Sequence, residues 1–157
     1  MKFAQFRMER TQARQCIIAT AFLFVISASA SAEPKGPETV DSPSADEQEA
    51  LNTVSQRTTG YNSHDIVAFL AAHSEEVQIY EFPDRKIGVG RAHLKRIFGP
   101  QFERGKDHVE VLRQIAIGNR VVSYENISID QEIERLAAVY TVEHGEITSL
   151  RLIESND

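Results

Sequence analysis

After Asp107 the spacing of apolar residues changes from a helical to an alternating pattern, and this change limits which folds the chain can adopt. Four strand-like runs follow, at residues 108–117, 120–129, 133–143 and 146–153. A Gly-Asn and a His-Gly dipeptide join two pairs of these runs, and such dipeptides favour tight hairpin turns. We therefore expect the second half of the chain to form an antiparallel sheet.

The first half of the folded region has mostly helical spacing, interrupted by one β-rich run at residues 77–82. Three helices are expected: from Ser44 or Asp46 to Gly60, from Ser63 or Asp65 to about His73, and from Arg91 to about Glu103. The third contains Gly99-Pro100, which should break or kink it. Residues 84–90 are predicted to form a turn-rich loop.

This order of elements predicts an α+β domain. The expected architecture is a cone-shaped, curved and mostly antiparallel sheet, with three N-terminal helices packed on its concave face. A sheet wrapped around helices in this way leaves a conical cavity, which is a natural site for a small molecule.

The first 32 residues have the composition of a secretory signal peptide. A basic start is followed by an apolar run at 16–26, which is too short to cross a bilayer as a stable helix, and then by the cleavage signal Ala30-Ser31-Ala32. Residues 33–45 are predicted to be a flexible linker and residues 46–157 to form one domain. The domain is expected in the periplasm or outside the cell, with an uncleaved N-terminal anchor as the alternative.

Charge and cysteine content exclude several classes of partner and site. The whole chain has a formal charge of −6, and the predicted signal peptide is basic, so the remainder is more acidic still. An acidic domain is a poor match for nucleic acid or an anionic membrane surface. The one cysteine, Cys16, lies in the signal segment, and no motif typical of a metal site follows it. We predict no cofactor, no metal, no nucleic-acid partner and no membrane association after cleavage.

Several short motifs occur in a fixed order along the domain: Asn62-x-x-Asp65, 75–79, Gly90-Arg91, 118–122 and 140–147. In this order they resemble the nuclear transport factor two-like superfamily, and within it the SnoaL-like branch that includes polyketide cyclases and ketosteroid isomerases. The resemblance covers residues 46–153 and implies the cone-shaped fold. It implies no single activity, because this fold hosts both enzymes and binding domains.

The resemblance implies a catalytic role for Glu81. The isomerases place a basic carboxylate nine residues before the glycine that opens the third helix, and counting back from Gly90 gives Glu81. A carboxylate between aromatic neighbours can act as a general base, because burial favours its protonated form. The alternative is a solvated side chain on the polar face of a strand.

The oxyanion-stabilising pair of those isomerases is not matched. By counting, the family's tyrosine on the first helix corresponds to Arg57, and its aspartic acid on the penultimate strand corresponds to Ala137. The loss of one oxyanion donor costs about 3 kcal/mol of transition-state stabilisation. A conventional ketosteroid isomerase is therefore not expected.

Four other polar side chains are candidates for binding a ligand in the cavity, namely Tyr80, His108, Glu125 and Tyr140. Tyr80 and Glu81 should point to opposite faces of a regular strand, so only one of them can line the cavity. His108 can equally be a surface residue at the start of its strand, and Tyr140 a core or dimer-face aromatic. His73 and the remaining histidines are expected in turns or on helix surfaces.

Two functions follow from these patterns. The first is a binding module that holds a small apolar molecule in the cone and forms a homodimer through the exposed face of its sheet. The second is an isomerase, cyclase or dehydratase in which Glu81 removes a proton next to a carbonyl group. We favour the first, because the second lacks the oxyanion pair.

Overall fold

A computed structural model describes residues 42–130 and 132–154. The predicted signal peptide at 1–32, and the linker as far as residue 41, lie outside the described residues. The elements are, in chain order, α1 (Ala45–Asn62), α2 (Ile66–Ala71), β1 (His73–Glu81), β2 (Arg85–Val89), α3 (Gly90–Arg104), β3 (His108–Ile117), β4 (Arg120–Ile129), β5 (Glu132–Glu143) and β6 (Glu146–Glu154). Within these ranges no helix combines the length and the apolar character needed to cross a membrane.

The strands form one six-stranded sheet in the order β2-β1-β6-β5-β4-β3. All neighbouring pairs are antiparallel except β1 and β6, which run parallel. The sheet is curved and does not close on itself, and the helices pack on its concave face. The predicted α+β class, the cone shape and the mostly antiparallel sheet are confirmed.

Side-chain caps explain why the first two helices begin where they do. Ser44 and Glu47 form a reciprocal capping box at the start of α1: each side chain accepts a hydrogen bond from the backbone N–H of the other residue. Asp65 caps α2 by accepting from the backbone N–H groups of Val67 and Ala68. Both caps satisfy donors that a helix leaves unpaired at its start.

The hydrophobic core lies between the helices and the concave face of the sheet. Helix α1 contributes residues three or four positions apart, and the strands contribute alternate residues. The buried apolar residues are Ala50, Val54, Tyr61, Phe69, Val77, Ile79, Leu94, Phe102, Val109, Val121, Leu136, Ala138, Tyr140, Val142, Ile147 and Leu150. Their side chains occupy much of the space in which the sequence predicted a conical cavity.

Helix α1 continues through Gly60, where the sequence predicted its end. A methyl group at Gly60 would lie 2.6 Å from the backbone nitrogen of Phe69, so this glycine allows α1 and α2 to approach each other closely. The helix ends at Asn62, and the next residue, Ser63, donates from its backbone N–H to the Thr59 carbonyl. The predicted end was wrong because close helix contact and helix termination both favour glycine.

Helix α3 is continuous although Pro100 lies inside it, so the expected break does not occur. Phe98 and Phe102 flank the proline, and their ring centroids lie 5.8 and 5.1 Å from that of Tyr61. This packing holds both halves of the helix on the core. It offsets the loss of the backbone hydrogen bond that proline cannot donate.

Residues 85–89, predicted to be part of a loop, form the edge strand β2. The strand pairs antiparallel with β1, and its register shifts between Ile79 and Tyr80. Gly88 allows close packing here, since a methyl group at this position would lie 2.2 Å from the Nε2 atom of His93. A short edge strand with a bulge has too little regular alternation to be recognised from sequence.

Candidate functional site

A charged pair lies buried between α1 and the concave face of the sheet. Arg57, on the sheet-facing side of α1, is 4% exposed, and Glu125, at an inward position of β4, is 0% exposed. The Nη1 atom of Arg57 lies 3.7 Å from the Oε2 atom of Glu125. This distance is short enough for an ion pair but too long for a hydrogen bond. Burial acts to lower the pKa of Arg57, but the neighbouring Tyr140 and Glu125 outweigh it, so the pKa is raised and the guanidinium stays charged.

Tyr140 of β5 connects to both members of this pair. Its hydroxyl donates a hydrogen bond of 3.1 Å to the Oε1 atom of Glu125. The guanidinium carbon of Arg57 lies 5.6 Å from the centre of the Tyr140 ring, within cation–π range. Burial raises the pKa of Tyr140, so the phenol keeps the proton that it donates.

His73 is buried beside these residues, at the start of β1. Its Nδ1 atom lies 2.9 Å from the carbonyl oxygen of Phe69. Because a carbonyl can only accept, Nδ1 carries the proton, and Nε2 of the neutral ring remains an acceptor. Burial and, secondarily, the charge of Arg57 lower the pKa of His73 to about 4, so the ring is neutral near pH 7. We call Arg57, His73, Glu125 and Tyr140 the polar cluster.

Aromatic rings from the three helices lie against the polar cluster. Arg57 lies over two of them, with its guanidinium carbon 5.4 Å from the centre of the Tyr61 ring and 5.7 Å from that of Phe69. Phe98 and Phe102 pack against these two rings, mostly edge to face. Phe98 is half-buried whereas the other three are buried, so the set reaches solvent at Phe98. We call these four rings the aromatic shell.

Four atoms of the polar cluster have no hydrogen-bond partner among the described residues. They are Nε and Nη1 of Arg57, Oε2 of Glu125 and Nε2 of His73. Buried polar atoms are nearly always hydrogen-bonded, and an unpaired one costs about 1–3 kcal/mol. Two of the four atoms are donors and two are acceptors, so the cluster has hydrogen-bonding capacity of both kinds that the described residues do not use.

Glu81, the predicted base, lies at the end of β1 and outside the polar cluster. It is opposite Leu152 of β6 and on the same side of its strand as the buried Ile79, so it faces the concave side. Its side chain is 36% exposed and forms an ion pair with Arg85. A catalytic role for Glu81 would therefore place the chemistry at the edge of the cone, away from the buried pair.

Tyr80 and His108 are not brought into the polar cluster. Tyr80 is opposite Arg151, which turns it to the convex side of the sheet, and its ring centre lies 4.6 Å from the Arg151 guanidinium carbon. His108 is an exposed residue at the start of β3. Of the candidates named from the sequence, Glu125 and Tyr140 are the two that the structure brings together. Their role in ligand binding stays a prediction.

Sequence reasoning missed Arg57 and His73 as members of a site. Arg57 lies on the same stripe of α1 as Val54 and Tyr61, so helical spacing alone was enough to place it inside. It was considered only as the position of an absent tyrosine. His73 was expected in a turn or on a helix surface, which was wrong: it begins β1 and is fully buried.

Ala137, the position compared with the isomerase aspartic acid, is turned away from the polar cluster. It lies opposite Tyr124 of β4, on the convex side of the sheet. The carboxylate inside the cone belongs to Glu125, on the neighbouring strand. The cone therefore contains an acid, although not on the strand indicated by the family comparison.

An open groove of about 540 Å³ lies outside the core, between α1 and β3. The hydroxyl groups of Thr58, Thr59 and Ser63 line it, but each donates to a backbone carbonyl of α1. The groove is therefore a weaker candidate than the interior, where four buried polar atoms lack partners among the described residues. Residues 42–130 and 132–154 contain no group of three or more histidine, cysteine or acidic side chains arranged to hold a metal ion.

No protein-family model and no curated protein matches this chain, but many solved structures share its fold. An uncharacterised cystatin-fold protein from Novosphingobium aromaticivorans is 17% identical with a TM-score of 0.62, and the match covers 67% of this chain and 97% of that protein. A proposed ketosteroid isomerase from Kribbella flavida is 20% identical with a TM-score of 0.61, covering 71% and 82%. A proposed polyketide cyclase from Xanthomonas campestris is 19% identical with a TM-score of 0.56, covering 71% and 93%.

These similarities establish that the chain has the nuclear transport factor two-like, cystatin-like fold, as its sequence motifs indicated. Proteins with this fold and different names are about equally similar to it, at identities of 17–20%. At such identities a similarity shows the fold alone, so the function has to be argued from the polar cluster and its surroundings.

Proposed function

We propose that this domain binds a small, largely apolar molecule inside its cone. The polar groups of the molecule meet the polar cluster, and its apolar part lies against the aromatic shell. The observation that carries this proposal is the buried pair of Arg57 and Glu125, which retains unpaired donor and acceptor atoms in an apolar interior.

A buried ion pair of this kind is costly to keep for stability alone. Transfer of each charge out of water costs several kcal/mol, and the attraction between the charges repays this only when hydrogen bonds satisfy the remaining polar atoms. Here Nε and Nη1 of Arg57 and Oε2 of Glu125 have no such partner among the described residues. A ligand that supplies those hydrogen bonds offsets the cost, so the pair suits binding better than structural support.

Phe98 marks the route by which a molecule reaches the pair. Its ring is half-buried and packs 5.0 Å from the ring of Phe69, which in turn lies beside Arg57. Side-chain rotation at a partly exposed position is fast and needs no change of backbone. Movement of Phe98 therefore opens the aromatic shell towards the polar cluster.

Native mass spectrometry on the chain from Glu33, purified from its expression host, tests this proposal. We expect a protein mass accompanied by a retained small molecule, released when the protein is denatured. The same measurement on Glu125→Leu, with Ser123→Ala as control, assigns the molecule to the cone. Ser123 is buried on the same face of β4 but is hydrogen-bonded to Gln114. Retention unchanged in Glu125→Leu would place the molecule elsewhere.

An enzyme that uses Glu81 as a general base is the second candidate. Glu81 faces the concave side of the sheet and keeps access to solvent, as a base that exchanges protons requires. In an assay with carbonyl substrates, Glu81→Gln should abolish turnover and leave the fold intact. An unchanged rate in that variant excludes this mechanism.

We also propose that two subunits pair through the convex face of the sheet. Ile115 and Ile117 of β3 are 61% and 67% exposed, and Val122 and Tyr124 of β4 continue the apolar surface. Val122 lies directly opposite Ile115, so these side chains form one patch. Such patches are typical of interaction sites, and a two-fold dimer is the commonest arrangement.

Sedimentation analysis at micromolar concentration tests the dimer. Ile115→Glu should convert it to a monomer, because a charge would be buried at the centre of the patch. Val67→Glu is the matched control: Val67 is 75% exposed but lies on α2, away from the sheet. A wild-type monomer would contradict the proposal.

We propose, finally, that the protein is exported by its N-terminal segment. The composition of residues 1–32 supports this. N-terminal sequencing of the protein from the periplasm or medium should begin at Glu33, whereas an intact chain confined to the cytoplasm would contradict export.

A further inference from the structure

We propose that the interior site takes an uncharged molecule that offers both a hydrogen-bond acceptor and a hydrogen-bond donor, and that it discriminates against acids. This inference rests on the proposed function and concerns the same site. It follows from which atoms of the polar cluster are paired, and from how their charges balance.

The unpaired atoms require a ligand with two kinds of polar group. Arg57 presents Nε and Nη1, which can only donate, so they need an acceptor such as a carbonyl oxygen. Oε2 of Glu125 and Nε2 of the neutral His73 can only accept, so they need a donor such as a hydroxyl group. A hydrocarbon satisfies none of these atoms, and a simple ketone satisfies only those of Arg57.

The partners already present fix which atom of Glu125 is available. The Tyr140 hydroxyl donates to Oε1, whereas Oε2 lies 3.7 Å from Nη1 of Arg57 without a hydrogen bond. A free acceptor and a free donor are therefore neighbours at one point of the cluster. Carbonyl and hydroxyl groups on adjacent carbon atoms match that separation, as in an α-hydroxy ketone.

The balance of charge argues against an acid. The positive charge of Arg57 is already compensated by Glu125. His73 adds no positive charge near pH 7, because burial lowers its pKa to about 4. A carboxylate ligand would thus bring an uncompensated negative charge next to Glu125 in a buried, apolar site, which is strongly unfavourable.

A matched set of four aromatic compounds tests the inference. They are 2-hydroxy-1-phenylethanone, which carries both groups; acetophenone, which has the carbonyl alone; ethylbenzene, which has neither; and mandelate, which carries a hydroxyl group next to a carboxylate. Dissociation constants are measured by NMR titration of the isotopically labelled protein at pH 7. We expect the hydroxy ketone to bind about tenfold more tightly than acetophenone, and mandelate to bind most weakly.

Two variants assign that preference to the polar cluster. Glu125→Gln keeps an oxygen that can accept from Tyr140 and replaces the free acceptor Oε2 by an NH₂ group, so the tenfold preference for the hydroxy ketone over acetophenone should be lost. His73→Phe, which keeps a ring but removes the acceptor Nε2, provides the same test at the other acceptor if Glu125→Gln does not fold. Ser123→Ala, on the same face of β4, should leave all four affinities unchanged.

The outcomes separate this inference from the proposed function. Equal binding of the hydroxy ketone, acetophenone and ethylbenzene, with shifts at core residues, overturns the inference and supports an apolar site. Tightest binding of mandelate also overturns it. If none of the four compounds shifts resonances of the polar cluster or the aromatic shell, the proposed function itself is contradicted.

Discussion

Gly60 and Gly99 are both helical residues, but their surroundings differ. A methyl group at Gly60 would lie 2.6 Å from the backbone nitrogen of Phe69, whereas one at Gly99 would meet nothing within 4 Å beyond its chain neighbours and the backbone of α3. Alanine has the higher helix propensity and would be preferred at both positions if propensity alone decided. The contact between α1 and α2 therefore determines the effect of substitution.

Alanine substitution at these two positions should change stability by different amounts. Gly60→Ala should lower the free energy of unfolding by about 1–3 kcal/mol, because α2 must move away from α1. Gly99→Ala should change it by less than about 1 kcal/mol, because the gain in helix propensity is opposed by the steric conflict between a Cβ atom and the ring of the following Pro100. Urea denaturation monitored by circular dichroism gives both values, and a stabilised Gly60→Ala would show that the helices are not in close contact.

The buried His73 should make stability depend on pH. Its pKa is about 4 in the folded protein, against an ordinary value of 6.5. Between these values the unfolded chain binds more protons, so the contribution of His73 is complete above pH 6.5 and is lost as the pH falls towards 4. The full loss is at most about 3 kcal/mol.

This dependence is measured as the difference between the wild type and His73→Gln, from urea denaturation at pH values from 4 to 7. The comparison is needed because burial raises the pKa of Asp107, which acts in the opposite direction. The variant should lose less stability than the wild type over this range. Parallel curves would mean that His73 is solvated in the folded protein.

At the scale of elements, the sequence predicted well those elements whose ends depend on residues close by in the chain. Strands β3 and β4 have the predicted bounds, and β5 and β6 differ from prediction by one residue at one end. Elements whose limits depend on distant contacts were predicted less well. Gly60 continues α1, Pro100 is held inside α3 by aromatic packing, and β2 exists because β1 pairs with it.

The capping box at the start of α1 is a local signal whose contribution can be measured. Ser44→Ala should lower the free energy of unfolding by about 1 kcal/mol, because the backbone N–H of Glu47 loses its acceptor at the helix start. Ser55→Ala is the control, since Ser55 is exposed within the same helix and alanine favours helix there. Equal stability of Ser44→Ala and wild type would show that the first turn of α1 is frayed.

At the scale of the whole molecule, the sequence predicted the cone but only part of what fills it. Alternation along β4 and β5 was enough to name Glu125 and Tyr140 as candidates. It could not show that Arg57 pairs with Glu125, because that contact joins a helix to a strand 68 residues later in the chain. Likewise, the motif that singled out Glu81 identified a position on the concave side, but not its exposure or its ion pair with Arg85.

We infer that the charged pair is retained for binding and not for folding. Removal of one partner alone leaves an uncompensated buried charge, so Arg57→Met and Glu125→Leu should each lower the free energy of unfolding by about 3–5 kcal/mol. Replacement of both by apolar residues of similar volume removes their unpaired atoms together with the charges, and Tyr140→Phe in the same variant removes the hydroxyl that would otherwise lose its acceptor. Such replacements are often neutral or stabilising in other proteins.

The measurement to make is therefore the free energy of unfolding of the triple variant Arg57→Met/Glu125→Leu/Tyr140→Phe, together with its retention of small molecules in native mass spectrometry. We predict a stability equal to or greater than that of the wild type, and no retained molecule. A loss of several kcal/mol would show that the pair serves the fold, and retention of the same molecule as in the wild type would show that the pair does not bind it; either result contradicts the inference.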